Sequence, residues 1–135
     1  SYPKTVDYDV EKILIVTIDI EVQCENGFPS PEEAAEPFLS ITVKNHQSKK
    51  FVVWGIGDFV NNRDDVTYVK CEDEVHLLKE FLMFWERHQP DIITGWNTEF
   101  FDIPYLCNRI KQLFGEDVLK RLSPWRSVHS RDVYN

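Results

Sequence analysis

Several features that would narrow the function of this 135-residue chain are scarce or missing. There are only three cysteines, and the odd number and wide spacing of Cys24, Cys71 and Cys107 argue against a disulfide framework and against a C-x-x-C metal site. No apolar run approaches the roughly 20 residues that a membrane span needs, and no signal-peptide pattern opens the chain. These absences favour an intracellular protein with no membrane partner, and the length fits one domain.

Positive charge is also in short supply. The 15 lysines and arginines against 23 aspartates and glutamates give a net charge of −8, which argues against a basic surface that holds duplex nucleic acid. A nuclease whose carboxylates gather divalent cations stays possible, because bound cations invert the local field. Gly55 and Gly57 form a G-x-G without the third glycine of a dinucleotide-binding loop, so no Rossmann fold is predicted.

The most informative stretch is ILIVTIDIEV at residues 13–22. Its nearly continuous branched residues predict a strand that is buried on both faces. Side chains two residues apart on a strand point to the same side, so Asp19 and Glu21 share a face with their Cα atoms roughly 6–7 Å apart. Paired carboxylates at a strand end suit a hard divalent cation. The alternative is that the strand has reached the surface and its carboxylates are simply solvated.

The rest of the pattern predicts an α/β fold. Two strand-like runs around a polar turn predict an antiparallel hairpin, and apolar residues at helical spacing before Pro90 predict a helix. We expect a mixed sheet, a three-strand antiparallel meander plus one parallel strand, with helices on its faces. Ligands of such sheets bind beyond the strand ends, where Asp19 and Glu21 lie. Beyond the first strand, the predicted elements are strands at 38–44, 51–56 and 91–96, a possible extension strand at 67–69, and helices at 73–88, 104–114 and 116–122.

The helix at 73–88 is predicted to bury one stripe, formed by Val75, Leu78, Phe81, Leu82 and Trp85.

A third carboxylate, Asp102, falls at the start of the helix that follows the short buried strand. It can therefore project toward the same sheet end as Asp19. The alternative role is a plain helix N-cap, which is common for aspartate. Asn97, Phe101 and Asp102 form an N-x-x-x-F-D pattern downstream of the strand-borne D-x-E.

At this point the chain resembles the 3′–5′ exonuclease domain of family B DNA polymerases. Asp19-Ile20-Glu21 is similar to the first exonuclease motif of that family, and NTEFFD at residues 97–102 is similar to the second. Several flanking segments also resemble the replicative polymerases of T-even-type phages: GFPSP at 27–31, TGWN at 94–97, FDIPY at 101–105, NRIK at 108–111 and KRLSP at 120–124. The resemblance covers residues 13–124 and implies a ribonuclease-H-like fold.

For the chemistry, the resemblance implies proofreading of 3′ ends by a two-ion Mg²⁺ or Mn²⁺ site. By carry-over from the family, Asp19 bridges both ions. Glu21 binds one ion and helps to position the attacking water, and Asp102 binds the other ion.

The same resemblance implies three DNA-binding residues. Asn97 orients the primer end and Phe101 packs in the pocket. Phe28 offers a ring on which the terminal base stacks, since stacking suits unpaired bases of any sequence. Core packing is the competing interpretation for both phenylalanines.

The chain also departs from the family pattern. The third family motif, a tyrosine followed a few residues on by an aspartate, has no match, because Tyr134 is followed only by Asn135. The last strand and helix of the fold have no match either, and the chain opens without a methionine. We therefore expect residues 1–135 to be one domain, the N-terminal part of an exonuclease domain, and to be inactive alone. Within it, 1–12 is a lead-in segment and 126–135 enters a β-hairpin.

The partners implied by the resemblance are the single-stranded 3′ end of a DNA primer, the remaining polymerase domains and, for the full-length protein, a sliding clamp. The implied setting is the cytoplasm of a phage-infected bacterial cell. Two other functions stay open: a non-catalytic fragment with a structural or nucleic-acid-binding role, and a stand-alone two-metal nuclease of the ribonuclease-H-like type.

Overall fold

A computed structural model of the chain describes residues 15–25, 27, 29–88, 92–94 and 101–120. These residues form one mixed sheet with helices, in the predicted order. The strands are β1 (Ile15–Val22), β2 (Phe38–Asn45), β3 (Phe51–Ile56), β4 (Val66–Cys71) and β5 (Ile92–Thr94), and the helices are α1 (Glu74–His88), α2 (Ile103–Phe114) and α3 (Glu116–Leu119).

The sheet has the strand order β4-β3-β2-β1-β5. The first three strands pair antiparallel and β5 pairs parallel with β1, so the predicted α/β class, with a meander plus a parallel strand, is confirmed. The possible extension strand proves to be the full strand β4, which pairs parallel with β3 along its whole length. The connection at 57–65 therefore returns the chain to the starting end of β3 without a helix.

Strand β1 is buried on one side only. Val16, Ile18 and Ile20 lie in the core, whereas Asp19 and Glu21 on the opposite side are exposed. The expectation of a strand buried on both faces is thus wrong for the described residues. Alternate side chains of a strand point to opposite faces of the sheet, and an apolar run alone does not show whether a second layer covers the face opposite the core.

Helix α1 packs across the sheet and supplies much of the core. Trp54 of β3 meets Phe81 edge to face, with ring centroids 5.3 Å apart. The predicted stripe of α1 is confirmed with one correction: Val75 is exposed and Leu77 is buried in its place. Val75 lies in the first turn of α1, and helical spacing alone does not show whether that turn overhangs the core. No helix in the described part of the chain is long and apolar enough to cross a membrane.

Strands β3 and β4 pack closely at Gly55 of β3. A Cβ atom there would lie 2.6 Å from Tyr68 Oη and 2.8 Å from Tyr68 Cε1. The ring cannot easily move, because Tyr68 Oη donates a 2.8 Å hydrogen bond to the carbonyl of Gly57. We expect Gly55→Ala to lower the free energy of unfolding by about 1–3 kcal/mol, as overpacked sites do, in urea titrations. In a Tyr68→Val background the same change should cost almost nothing; an equal cost in both backgrounds would contradict the clash.

Candidate active site

Two of the predicted site residues lie side by side on β1. Asp19 pairs with Thr42 and Glu21 with Ser40 of β2, and both carboxylates are exposed on the same side of the sheet. The pairing register shifts between Glu21 and Val22, and an irregularity of this kind bends a strand at its end.

The third predicted carboxylate, Asp102, is buried, with 4% of its surface exposed. It precedes the first residue of α2 and already has helical dihedral angles, φ −63° and ψ −50°. Its side chain makes no capping hydrogen bond, so the simple N-cap role is not found. Its Oδ2 atom is buried and has no hydrogen-bond partner among the described residues.

The pKa of Asp102 is raised to about 7, chiefly by burial and secondly by the charge of Asp19. Asp19 of the strand and Asp102 of the helix are therefore close enough to repel each other. A buried carboxylate with an unpartnered oxygen beside a second carboxylate has the donor chemistry that a hard divalent cation requires. The residues present thus fit a divalent metal ion.

The three carboxylates do not form one closed group. Within the described ranges, no three His, Cys, Asp or Glu side chains are gathered closely enough to hold a metal ion. The structure brings Asp19 to Asp102, but it does not gather Glu21 with them.

Of the three predicted DNA-binding residues, only Phe101 can be placed. It is half-buried, packs against the core, and its ring stacks on Tyr105 with centroids 5.6 Å apart, in keeping with the core-packing interpretation. Phe28 and Asn97 lie outside the described residues, as do the predicted lead-in at 1–12 and the hairpin start at 126–135.

Sequence reasoning missed a polar face of α2 that binds the chain between β1 and β2. Tyr105 Oη donates to the carbonyl of Glu36 (2.5 Å) and accepts from its N–H (2.9 Å). Asn108 Nδ2 donates to the carbonyl of Pro31 at 2.8 Å, and Gln112 Nε2 donates to that of Glu33 at 2.5 Å. The spacing of these residues along α2 places them on one side of the helix.

Arg109 lies at the centre of this face and bonds two elements at once. Its Nε and Nη2 atoms donate to Glu74 Oε2 and Oε1 of α1, at 2.7 and 2.8 Å. Its Nη1 atom donates to the carbonyls of Ala34 and Ala35, at 3.0 and 3.2 Å. Each side chain of the ion pair is only 13% exposed. Glu74 Oε2 also accepts the N–H of Phe38, the first residue of β2, at 3.0 Å.

The bound segment, residues 31–36, is itself in a strained conformation. Ala34 is fully buried and has a φ of 44°, which residues with a side chain seldom adopt. In the turn before it, Ser30 Oγ accepts the N–H of Glu33 at 3.4 Å. Strain of this kind persists only where the surrounding contacts impose it.

Comparison with known protein families shows the family to which this chain belongs. The model of the family described as DNA polymerase family B, exonuclease domain, matches residues 2–133. The chain belongs to this family. The predicted resemblance is thereby confirmed, and the ribonuclease-H-like architecture agrees with the observed sheet.

Relatives of this exonuclease-domain chain are whole polymerases. It is 37% identical to the DNA-directed DNA polymerase of Escherichia phage RB69 and 31% identical to that of Enterobacteria phage T4. Both matches cover 100% of the chain and 18% of the relative. It is also 28% identical, over 76% of its length, to the DNA polymerase of Pyrococcus glycovorans, of which it covers 12%. The exonuclease-domain chain therefore spans less than a fifth of the length of these relatives.

Proposed function

We propose that this chain carries part of the metal-dependent 3′–5′ exonuclease site of a family B DNA polymerase. The site removes mispaired nucleotides from the 3′ end of a primer. Family membership supports the polymerase context. The observation that carries the proposal is the buried Asp102 carboxylate, whose Oδ2 lacks a partner among the described residues and which lies near Asp19 at the end of a core strand.

Asp19, Glu21 and Asp102 are the residues that would hold Mg²⁺ or Mn²⁺. The chemistry that such a pair of ions supplies is activation of a water molecule and stabilisation of the departing 3′ oxygen. The chain's own contribution is placement. Strand β1 presents Asp19 and Glu21 on one face, and Asp102 is positioned by α2, which begins directly after it.

The DNA-binding part of the proposal rests on Phe28, Asn97 and Phe101. We propose that Phe28 stacks on the terminal base and that Asn97 orients the primer end, while Phe101 packs beside Tyr105 under the site. The proposed partners are a single-stranded primer 3′ end, the other domains of the polymerase and a sliding clamp, in the cytoplasm of a phage-infected bacterial cell.

The test is digestion of a 5′-labelled single-stranded oligonucleotide with Mn²⁺. The same assay is run on this chain and on a version continued along its reading frame through the next acidic motif. We expect the longer version to produce a ladder shortened from the 3′ end. Asp19→Ala or Asp102→Ala should slow it by at least about 10²-fold, since each removes charge stabilisation at the reacting phosphate. Asp64→Ala, which removes an exposed carboxylate of the 57–65 connection, is the matched control.

Each arm decides a separate point. Cleavage that survives both site substitutions would mean that these carboxylates do not form a nuclease site. Cleavage by the 135-residue chain itself, lost in Asp19→Ala, would show that the expectation of inactivity is wrong. A longer version that binds the oligonucleotide without shortening it would favour a non-catalytic role in nucleic-acid binding.

A further inference from the structure

The Arg109 side chain donates hydrogen bonds to three residues, Glu74, Ala34 and Ala35, and the proposed chemistry does not use it. Its guanidinium joins three parts of the fold: α2, the first residue of α1, and the segment 31–36 that follows β1. Because the ion pair with Glu74 is bidentate and largely buried, the fork of the guanidinium fixes both distance and orientation. The contact therefore helps to fix where α2 lies, together with the bonds of Tyr105, Asn108 and Gln112 to the same segment.

The position of α2 matters for Asp102, because Asp102 directly precedes this helix and already has helical dihedral angles. Its side chain makes no capping bond, and its Oδ2 has no partner among the described residues. The position of the Asp102 carboxylate is therefore set by the position of the helix that Asp102 precedes. Arg109 follows seven residues later, which is about two turns and roughly 10 Å along the same side of the helix.

The other end of the link leads back to β1. The segment at 31–36 belongs to the connection between β1 and β2. The N–H of Gln23 donates to the carbonyl of Pro37 at 3.1 Å and so joins the two ends of this connection. The same Glu74 that holds Arg109 also holds the first residue of β2, the strand that pairs with β1. Arg109 thus links α2, which follows Asp102, to residues 31–36 directly and to the start of β2 through Glu74. Residues 31–36 follow β1, which carries Asp19, and β2 pairs with β1.

We propose that Arg109 is a positioning residue for the carboxylate site, setting the separation of Asp102 and Asp19 that a divalent cation requires. This inference rests on the proposed function, because a separation matters only if a cation bridges the two groups. Residues that orient metal ligands typically change metal affinity by about 10- to 100-fold when replaced. A residue that only stabilises the fold would change the unfolding temperature and leave the affinity of the folded chain alone.

The test separates these roles by Mn²⁺ binding rather than by turnover. The unfolding temperature of the chain is followed against Mn²⁺ concentration, and direct calorimetric titration supplies the affinity. The variants are Arg109→Lys, which keeps the charge but loses the fork, and Arg109→Met. The matched control is Trp54→Leu, which removes a buried ring on β3, two strands away from β1. Asp19→Ala defines binding elsewhere on the chain.

We expect both Arg109 variants to need at least about tenfold more Mn²⁺ than the wild type, and Trp54→Leu to stay within about twofold at a similar loss of unfolding temperature. If Arg109→Lys folds and binds Mn²⁺ as tightly as Trp54→Leu, Arg109 has a purely structural role and the inference is overturned. If the wild type shows no Mn²⁺ binding that Asp19→Ala removes, the proposed function fails first, and the positioning role fails with it.

Discussion

Replacing Asp102 with asparagine is expected to stabilise the chain at neutral and alkaline pH in the absence of divalent metal. The folded-state pKa of Asp102 is raised to about 7, against an ordinary value of 3.8, because the carboxyl is buried beside Asp19. Well below its ordinary pKa of 3.8 the group is protonated in both the folded and the unfolded state and costs nothing. As pH rises from there the unfolded chain ionises first, so the stability of the wild type falls until the pH passes the folded pKa.

The cost to the wild type above pH 7 is on the order of 4 kcal/mol, at 1.36 kcal/mol for each unit of pKa difference. An asparagine side chain cannot ionise, so Asp102→Asn avoids that cost. Chemical unfolding in the presence of a chelator, at about pH 4, 6 and 8, measures the difference. It should grow with pH and be smallest at pH 4, where the unfolded group is only about half ionised. Asp64→Asn controls for the loss of one exposed carboxylate, and a variant that is less stable than wild type at pH 8 would show that Asp102 has a stabilising partner.

The second large effect is expected at Glu74. Glu74→Ala leaves the guanidinium of Arg109 without its bidentate partner and the N–H of Phe38 without its acceptor. Breaking a buried ion pair by removing one partner costs about 3–5 kcal/mol, and the slight exposure of this pair places the expected loss near the lower end, at about 3 kcal/mol. The midpoint of urea unfolding measures it.

A surface ion pair provides the comparison. Lys70 and Asp58 approach to 2.8 Å, but their side chains are 60% and 91% exposed. Because solvent screens such a pair, Asp58→Ala should leave the urea midpoint unchanged within error. If Glu74→Ala behaved in the same way, the ion pair with Arg109 would contribute no more to stability than an exposed pair, contrary to the effect expected from its burial.

Local patterns of the sequence were sufficient for the element order and for the shared face of Asp19 and Glu21. The D-x-E of Asp19 and Glu21 ends an apolar run, and the period of a strand then puts both side chains on one face. Helix α2 was equally readable, since Pro104 lies in its first turn and Gly115 ends it with a φ of 95°. These features depend on neighbours within a few residues.

Features that depend on distant parts of the chain could not be predicted. The partner of Arg109 is 35 residues away and the carbonyls that Asn108 and Gln112 bind are 77 and 79 residues away. Glu74 was interpretable only as an acidic residue in the first turn of a helix. The burial of Asp102 likewise arises from tertiary packing, and a carboxylate before a helix has the same local pattern whether it is solvated or enclosed.

The parallel pairing of β3 with β4 has a mechanical consequence for the chain that joins them. That chain must travel back along the six residues of β3, a distance of about 20 Å at strand rise. It is held at both ends, by bonds from Gly57 N–H to the Cys71 carbonyl and from Phe51 N–H to the Asp65 carbonyl. Nine residues reach about 30 Å at full stretch, so the slack amounts to only about three residues. The connection at 57–65 is therefore close to the minimum length that lets β4 pair with β3. Insertions should cost little, because loop entropy changes slowly with length, whereas a deletion of four residues would prevent β4 from pairing along β3.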